Sequence, residues 1–434
     1  MKTLLHINKH AKAFSNKTEI PTDLSLYIHW PYCEFKCNFC NFNKYVDINS
    51  PNSKVESSIL KEIQHRLRKE RDRRIKSIYF GGGTPSLSSP RFVSEVINLV
   101  SKMCILPSDT EITLETNPTL VEIEKMKSFH FAGINRCSIG IQSFKDSILS
   151  WMGRDHTGRD AVQAIETARK IFNTGVTYDL IYGVPNQTTE SFKKELEYAL
   201  SLSSYHLSIY QLTVEFGTRL HKDIKAGSIK LPDVDTLADM YETAFEVSKN
   251  QGVNRYEVSN YAKGSNLEGK HNKHYWEGGD YIGVGPGSHS RYTISDDPGN
   301  GKISTINIRD PKSYMESVAT VNHAIAKRVD ISSRDELEEL IVFGLRTIYG
   351  VKNSSIDRIT NGRKSLKNIF GLETVQRYID DGYLEWVLNE SDNQMTRSNL
   401  KLEGKIPNAL VPTNKGMQVI DTITLELIST LQYP

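Results

Sequence analysis

From Leu24 to about Thr213, short apolar runs alternate with amphipathic stretches. The runs are LSLYIHW (24–30), SIYFGGG (77–83), EITLETN (111–117), RCSIGIQS (136–143), TYDLIYGV (177–184) and HLSIYQLT (206–213). Each is rich in β-branched or aromatic residues and stops near Gly, Pro or a polar residue, which predicts strands. Between them, apolar positions recur at helical spacing over 53–73, 88–103, 119–130, 158–174 and 189–203. A helix between successive strands makes those strands parallel and puts the helices outside. Six such units fall short of the eight that close a full barrel. The expected fold is therefore α/β, a partial (β/α)6 barrel, with an open doubly wound sheet as the competing arrangement.

Beyond the sixth strand, 233–252 reads as a further helix. GKHNKHYWEGGDYIGVGPGSHSR (269–291) then breaks the pattern with Gly, His and aromatics. The segment 251–330 is read as an extension of the barrel at 24–250. From Ser332 a helical region begins, and helix–strand and strand–helix pieces follow, so 331–434 is expected to form a small separate α+β domain. Within it, 389–408 reads as a polar loop.

The chain has 434 residues, 38% of them hydrophobic and 24% charged, as in a soluble globular protein. A net charge of +2 gives no whole-chain electrostatic case for nucleic acid. No apolar run approaches the ~20 residues of a membrane span, which leaves peripheral membrane contact open. Residues 1–23 precede the first strand. In this segment MKTLLHINKHAKAFSNKT carries lysines and histidines without an acid, and Leu4, Ile7, Ala11 and Phe14 share one helical face. A mitochondrial presequence and a basic tail both fit, so mitochondrion is the expected compartment and cytoplasm the alternative.

Three of the five cysteines, Cys33, Cys37 and Cys40, stand within CEFKCNFC. Such crowding favours a metal centre over disulfides. Thiolates suit zinc or iron–sulfur centres. Zinc wants a fourth ligand, and His29 lies before the loop on the first strand. A four-iron cluster on three thiolates leaves one iron open to a small molecule. Cys104 and Cys137 stand alone in apolar surroundings and read as buried small hydrophobes.

Cys-x3-Cys-x2-Cys after a first strand, with Phe39 just before the third Cys, resembles the radical S-adenosylmethionine proteins. YFGGGTPS (79–86) resembles that family's glycine motif, in which a backbone without Cβ atoms lets a ligand approach closely. LYIHWPYC, ETNP, SIGIQSF, MGRDHT and DLIYGVPNQT narrow the resemblance to the coproporphyrinogen-oxidase-like branch. The resemblance implies a [4Fe–4S] cluster on Cys33, Cys37 and Cys40, with S-adenosylmethionine on its open iron. Tyr27 and Phe39 would flank the cluster. Gly82, Gly83 and Thr84 would hold the methionine moiety. Glu115, Gln142, Arg154 and Asp179 would hold the carboxylate, ribose and adenine ends. Taken singly, Glu115 and Asp179 also read as helix caps and Arg154 as a surface charge.

Within this branch, the oxygen-independent coproporphyrinogen III oxidases carry a fourth Cys two positions after the third, where this chain has Phe42. The HemW-type haem chaperones have three cysteines and a His-Asn-x-x-Tyr-Trp motif, present here as His271, Asn272, Tyr275 and Trp276. The resemblance thus implies haem as cargo, an acceptor protein to receive it, and a radical enzyme of porphyrin synthesis as the alternative. An imidazole can ligate haem iron, aromatic rings can face a macrocycle, and Lys270 and Lys273 can meet propionates. A packed, hydrogen-bonded structural role fits the same histidine.

Overall fold

The computed structural model describes residues 22–47, 52–202, 205–294, 301–389 and 406–432. The presequence expectation lies outside these residues. So does the expected polar loop, apart from Asn389 and Ile406–Asn408.

Strands β1 (Asp23–Trp30), β2 (Arg74–Gly82), β3 (Glu111–Thr116), β4 (Arg136–Gln142), β5 (Val176–Tyr182) and β6 (His206–Gln211) fall on the six apolar runs. Helices α1 (Asn52–Leu67), α2 (Pro90–Met103), α3 (Leu120–Phe131), α4 (Gly158–Phe172), α5 (Thr189–Leu202) and α6 (Val234–Asn250) fall on the amphipathic stretches. Local chemistry fixes their starts. Ser89 accepts from the Phe92 amide ahead of Pro90, and Thr157 with Asp160 forms a capping box. Phe92, Val93, Val96 and Val100 then bury one face of α2.

Strands β1 to β6 pair in sequence order, and every pair is parallel. A doubly wound sheet reverses its order at a switch point. Here each unit sets its strand beside the last in one direction, which is barrel winding. The sheet also continues beyond the six strands. At one end β7 (Asn254–Glu257) and β8 (Asn260–Ala262) add antiparallel, with β8 against β6. At the other end β9 (Asp280–Val284) lies parallel to β1. Antiparallel β10 (His289–Thr293), β11 (Lys302–Asn307) and β12 (Ile325–Asp330) follow. Among the described residues the result is one sheet of 12 strands with β12 and β7 at its two edges.

Between β8 and β9 runs a short helix, α7 (Lys270–Trp276). It touches the N-terminal ends of the barrel strands. The His271 amide donates to Glu111, the first residue of β3, and its ring is hydrogen-bonded to Ser77 of β2. Arg136, the first residue of β4, donates to the Leu267 carbonyl and the Thr177 hydroxyl. The segment 254–276 therefore forms a floor to the barrel, opposite the strand ends where chemistry gathers.

The first helix stops at Leu67, short of the expected 73. Turns at Glu70 and Arg73 replace it, and the reason is Arg73, whose side chain is buried. Arg73 donates to Asp280 at 2.9 Å and to the Asp23 carbonyl at 3.0 Å. Lys302 reaches the same carboxylate at 3.3 Å. Asp280 is 0% exposed and joins the starts of β1, β9 and β11.

Residues 333–432 carry their own apolar cluster, including Leu337, Ile341, Val351, Trp386, Leu410 and Leu427. Helix α8 (Ser333–Leu345) opens on a capping box between Ser332 and Asp335. A three-stranded sheet follows, with Ala409–Pro412 between Val351–Lys352 and Leu384–Val387. Phe343 of α8 meets Tyr275 of the floor edge-on.

Removing Asp280 would leave Arg73 and Lys302 with only their longer ion pairs, to Glu70 at 3.6 Å and to Glu336 at 3.5 Å. Asp280→Ala is expected to lower the free energy of unfolding by about 3–5 kcal/mol, read from urea denaturation. A loss below about 1 kcal/mol would mean that Glu70 and Glu336 suffice as partners for Arg73 and Lys302.

Candidate cofactor site

The site begins where two backbones meet. Gly82 ends β2 with φ +113°, a conformation that favours glycine. A Cβ there would stand 2.8 Å from the Trp30 carbonyl oxygen, and one on Gly83 would stand 2.5 Å from that of Tyr32. The Gly83 amide donates to Trp30 at 2.7 Å and the Thr84 amide to Tyr32 at 2.8 Å. The glycine turn is thus stitched to the residues that launch the cysteine loop. Glu115 accepts from the Gly82 amide at 3.1 Å and from the Tyr79 hydroxyl at 2.8 Å.

Cys33, Cys37, Cys40, Phe39, Gly82, Gly83, Thr84, Glu115, Gln142, Arg154 and Asp179 line a single cavity of about 860 Å³ of empty space, part of it open to solvent. The ends of five different strands therefore converge on one mouth. Thr84 donates to the Cys33 sulfur and Arg154 to the Cys37 sulfur, each at 3.4 Å. Arg154 also donates to Asn117 and to the Gly140 carbonyl, both at 2.7 Å. Its Nε is buried without a hydrogen-bond partner among the described residues. No three His, Cys, Asp or Glu side chains among the described residues are drawn together as one bound metal ion would draw them. The cysteines are arranged around a space instead. Three soft donors on a loop, a wall without Cβ atoms and a buried unpaired guanidinium Nε fit a cluster with a carboxylate-bearing ligand beside it.

Charge is divided across the mouth. Burial drives the Glu115 carboxyl up to about 7, against the hydrogen bonds it accepts from Tyr79 and Gly82. Burial, and then the charge of Glu115, drive Asp179 up to about 7, against Ser208 and Arg154. On the cysteine side, burial opposes the charge of Lys44, but the three neighbouring thiols outweigh it and hold the ammonium above its ordinary value.

Tyr27 does not line the cysteine cavity. It lies in an adjoining one, with its hydroxyl 3.1 Å from His29 Nδ1. His29 is buried, and its Nε2 is 2.8 Å from the Asn43 carbonyl, so both ring nitrogens are engaged. The His-Asn-x-x-Tyr-Trp residues lie at the floor. His271 is 4% exposed, with Nδ1 2.8 Å from the Ser77 hydroxyl and its ring stacked on Tyr79 at 4.9 Å. Burial lowers its pKa to about 3. Trp276 is buried, Tyr275 is packed among Trp276, Tyr281 and Phe343, and Asn272 is half-buried. Lys270 donates to the Asp109 carbonyl, and Lys273 pairs with Glu268 over the Tyr349 ring. Neither lysine is turned to the mouth. Cys104 and Cys137 are free and buried in the main core.

Two residues at the mouth escaped the reading of the sequence. Asn117 donates to Thr84 at 3.2 Å while accepting from Arg154, so it bridges the glycine turn and the arginine. Lys44 lines the cavity beside the thiols. Asn117 stands within ETNP and Lys44 four positions after the third cysteine, and their polarity was the available signal.

A family model of the radical SAM superfamily matches residues 27–199, the span that carries the cysteine loop and the strand ends of the cavity. The radical S-adenosyl methionine domain-containing protein 1, mitochondrial, of Bos taurus is 35% identical over 408 residues, 94% of this chain and 88% of that protein. The heme chaperone HemW of Bacillus subtilis is 32% identical over 328 residues, 75% of this chain and 84% of that one. Among solved structures, the coproporphyrinogen III oxidase HemN of Escherichia coli superposes with a TM-score of 0.75 at 21% identity. That match covers 96% of this chain and 92% of HemN, and the two share a fold. Identity of this extent along most of both chains settles the affiliation: the protein belongs to the radical S-adenosylmethionine superfamily, in the family of domain-containing protein 1 and HemW, a membership that implies a [4Fe–4S] cluster and S-adenosylmethionine.

Proposed function

We propose that the protein is a mitochondrial haem chaperone, which binds haem and passes it to an acceptor protein. The observation that carries this reading is Phe42. The cysteine loop presents three thiols and, two positions after the third, an aromatic ring that is 66% exposed. A fourth thiol is what the oxidases of this branch place there, and a flat apolar face is what a macrocycle needs. The names of the Bacillus subtilis and Bos taurus relatives support the cargo and the compartment respectively. Among the described residues no helix is long and apolar enough to cross a membrane.

In this reading Cys33, Cys37 and Cys40 hold the cluster, which supplies an open iron and a one-electron reductant when bound. Gly82, Gly83 and Thr84 receive the methionine end of S-adenosylmethionine. Arg154 offers its charge to a carboxylate, and Glu115, Gln142 and Asp179 face hydroxyl and amino groups. Phe39 flanks the cluster. Tyr27 backs it from the adjoining cavity. His271, Asn272, Tyr275 and Trp276 hold the floor. Ligation by His271 would require its ring to leave Tyr79 and Ser77 and the floor to open.

Anaerobic reconstitution followed by haem addition is expected to give a stable Soret band, with no carbon dioxide released from coproporphyrinogen in a parallel assay. Turnover without a retained haem band would overturn the chaperone reading in favour of an oxidase.

The two buried carboxyls set a pH dependence for S-adenosylmethionine, which carries a sulfonium and an ammonium. With folded pKa values near 7, both carboxyls are largely neutral at pH 6 and charged at pH 8. Affinity is expected to rise by about tenfold per group across that interval, measured by equilibrium dialysis. Glu115→Gln should flatten the profile. A pH-independent affinity in the unaltered protein would remove these carboxyls from the site.

A further inference from the structure

The three thiols of the cysteine loop are met by three different donors. Thr84 donates to Cys33 and Arg154 to Cys37, each at 3.4 Å. For Cys40 the donor is Lys44, whose side chain hydrogen-bonds the sulfur. Lys44 is half-buried in the wall of the cysteine cavity. The charges that act on its ammonium are those of Cys37, Cys40 and Cys33, with no carboxylate among them. A lysine stem is flexible, so holding its charge on one sulfur requires a fixed backbone beneath it.

Asn43 supplies that fixed point. Its side-chain amide donates to the Pro286 carbonyl at 3.0 Å and to the Arg309 carbonyl at 3.2 Å. Its own carbonyl lies 2.8 Å from His29 Nε2. Gly287 leaves room for it: φ there is +74°, and a Cβ would stand 2.4 Å from the Asn43 amide nitrogen. The two turns that offer the carbonyls are tied together by the Gly287 amide, which donates to Ile308 at 2.9 Å. Behind them stands Glu62 of α1, fully buried. It accepts from the Gly285 amide and the Asn307 side chain, both at 2.9 Å, and from the Tyr314 hydroxyl at 2.7 Å. On the other side of Lys44, the Tyr45 amide donates to the Pro31 carbonyl at 2.8 Å. Lys44 therefore springs from a backbone pinned on both sides by elements outside the loop.

One-electron reduction adds a negative charge to an iron–sulfur cluster. A hydrogen bond or a cation at a ligand sulfur stabilises the reduced form and so raises the potential. We propose that Lys44 tunes the cluster by donating to the Cys40 thiolate, and that Asn43 is the positioning residue that holds Lys44 there. Asn43 is a poor ligand for a soft metal, and this gives its side chain a use. The assignment rests on Cys33, Cys37 and Cys40 holding the cluster and makes no use of haem.

The test takes the full chain, reconstituted anaerobically without haem or S-adenosylmethionine. Iron per chain is measured, and a redox titration followed by electron paramagnetic resonance gives the midpoint potential. Lys44→Met keeps the stem and removes the charge. It is expected to disfavour reduction about tenfold, a fall of about 59 mV for one electron. Iron per chain and the unfolding temperature should stay as they are, and Lys44→Arg should return most of the shift. Asn43→Ala should lower the potential alone but add nothing to Lys44→Met, because it acts through the lysine. A Lys44→Met cluster at the unaltered potential would overturn the proposal. A shift from Asn43→Ala that persists beside Lys44→Met would overturn the role of Asn43. If Lys44→Met takes up no iron, Asn43→Ala decides, and an unaltered potential there overturns the proposal. Failure of the unaltered protein to load iron would take the cluster off these cysteines, and this tuning with it. The expected shifts in a protein that retains no hemin would remove the chaperone reading and leave the tuning standing.

Discussion

The mouth of the barrel depends on one close approach, that of the Gly82–Gly83 backbone to the carbonyls of Trp30 and Tyr32. No side chain fits between them, since a Cβ on Gly83 would lie 2.5 Å from an oxygen. Two short amide–carbonyl bonds hold the approach. Everything at the site is referred to it. Glu115 is aimed by the Gly82 amide, Cys33 receives the Thr84 hydroxyl, and Asn117 carries the position of Thr84 on to Arg154. Arg154 then returns to the cysteine loop through Cys37. The ring of contacts is closed, so an error in one backbone contact would be felt at two thiols.

Much of this was legible before any coordinates. Strands buried on both faces give apolar runs that stand out, and a βα repeat fixes their parallel order. The residues that line the cysteine cavity follow the same logic, because strand ends of a singly wound sheet must face one side. Tyr27 shows the limit. It alternates with its neighbours along β1, yet a register of one strand against two others decides which cavity it enters. The floor shows a larger limit. KHNKHYW advertises its histidines and aromatics, but no periodicity tells which end of a barrel a returning segment will cover. That choice is made by long-range partners such as Ser77, Glu111 and Phe343, which are distant in sequence. The strands of 254–330 were illegible for a simpler reason: they are short, interrupted by Gly, and several carry charge on an exposed face.

The polarity of the mouth follows from its layout. Cations, Lys44 and Arg154, stand on the thiol side, where bound thiolates and a cluster would gather negative charge. Carboxyls, Glu115 and Asp179, stand across from them, each raised toward neutrality by burial. Such a field welcomes a ligand that is itself dipolar, anionic at one end and cationic at the other. Phe42 lies at the boundary between this field and the neighbouring aromatic cavity, so one side chain belongs to both environments.

The floor has a consequence for traffic. With the N-terminal ends of the strands covered, the two adjoining cavities share Phe42, Lys44, Gly82 and Glu115 as common walls. An occupant that moves one of these walls changes the room left to its neighbour, so the order of arrival matters beside affinity.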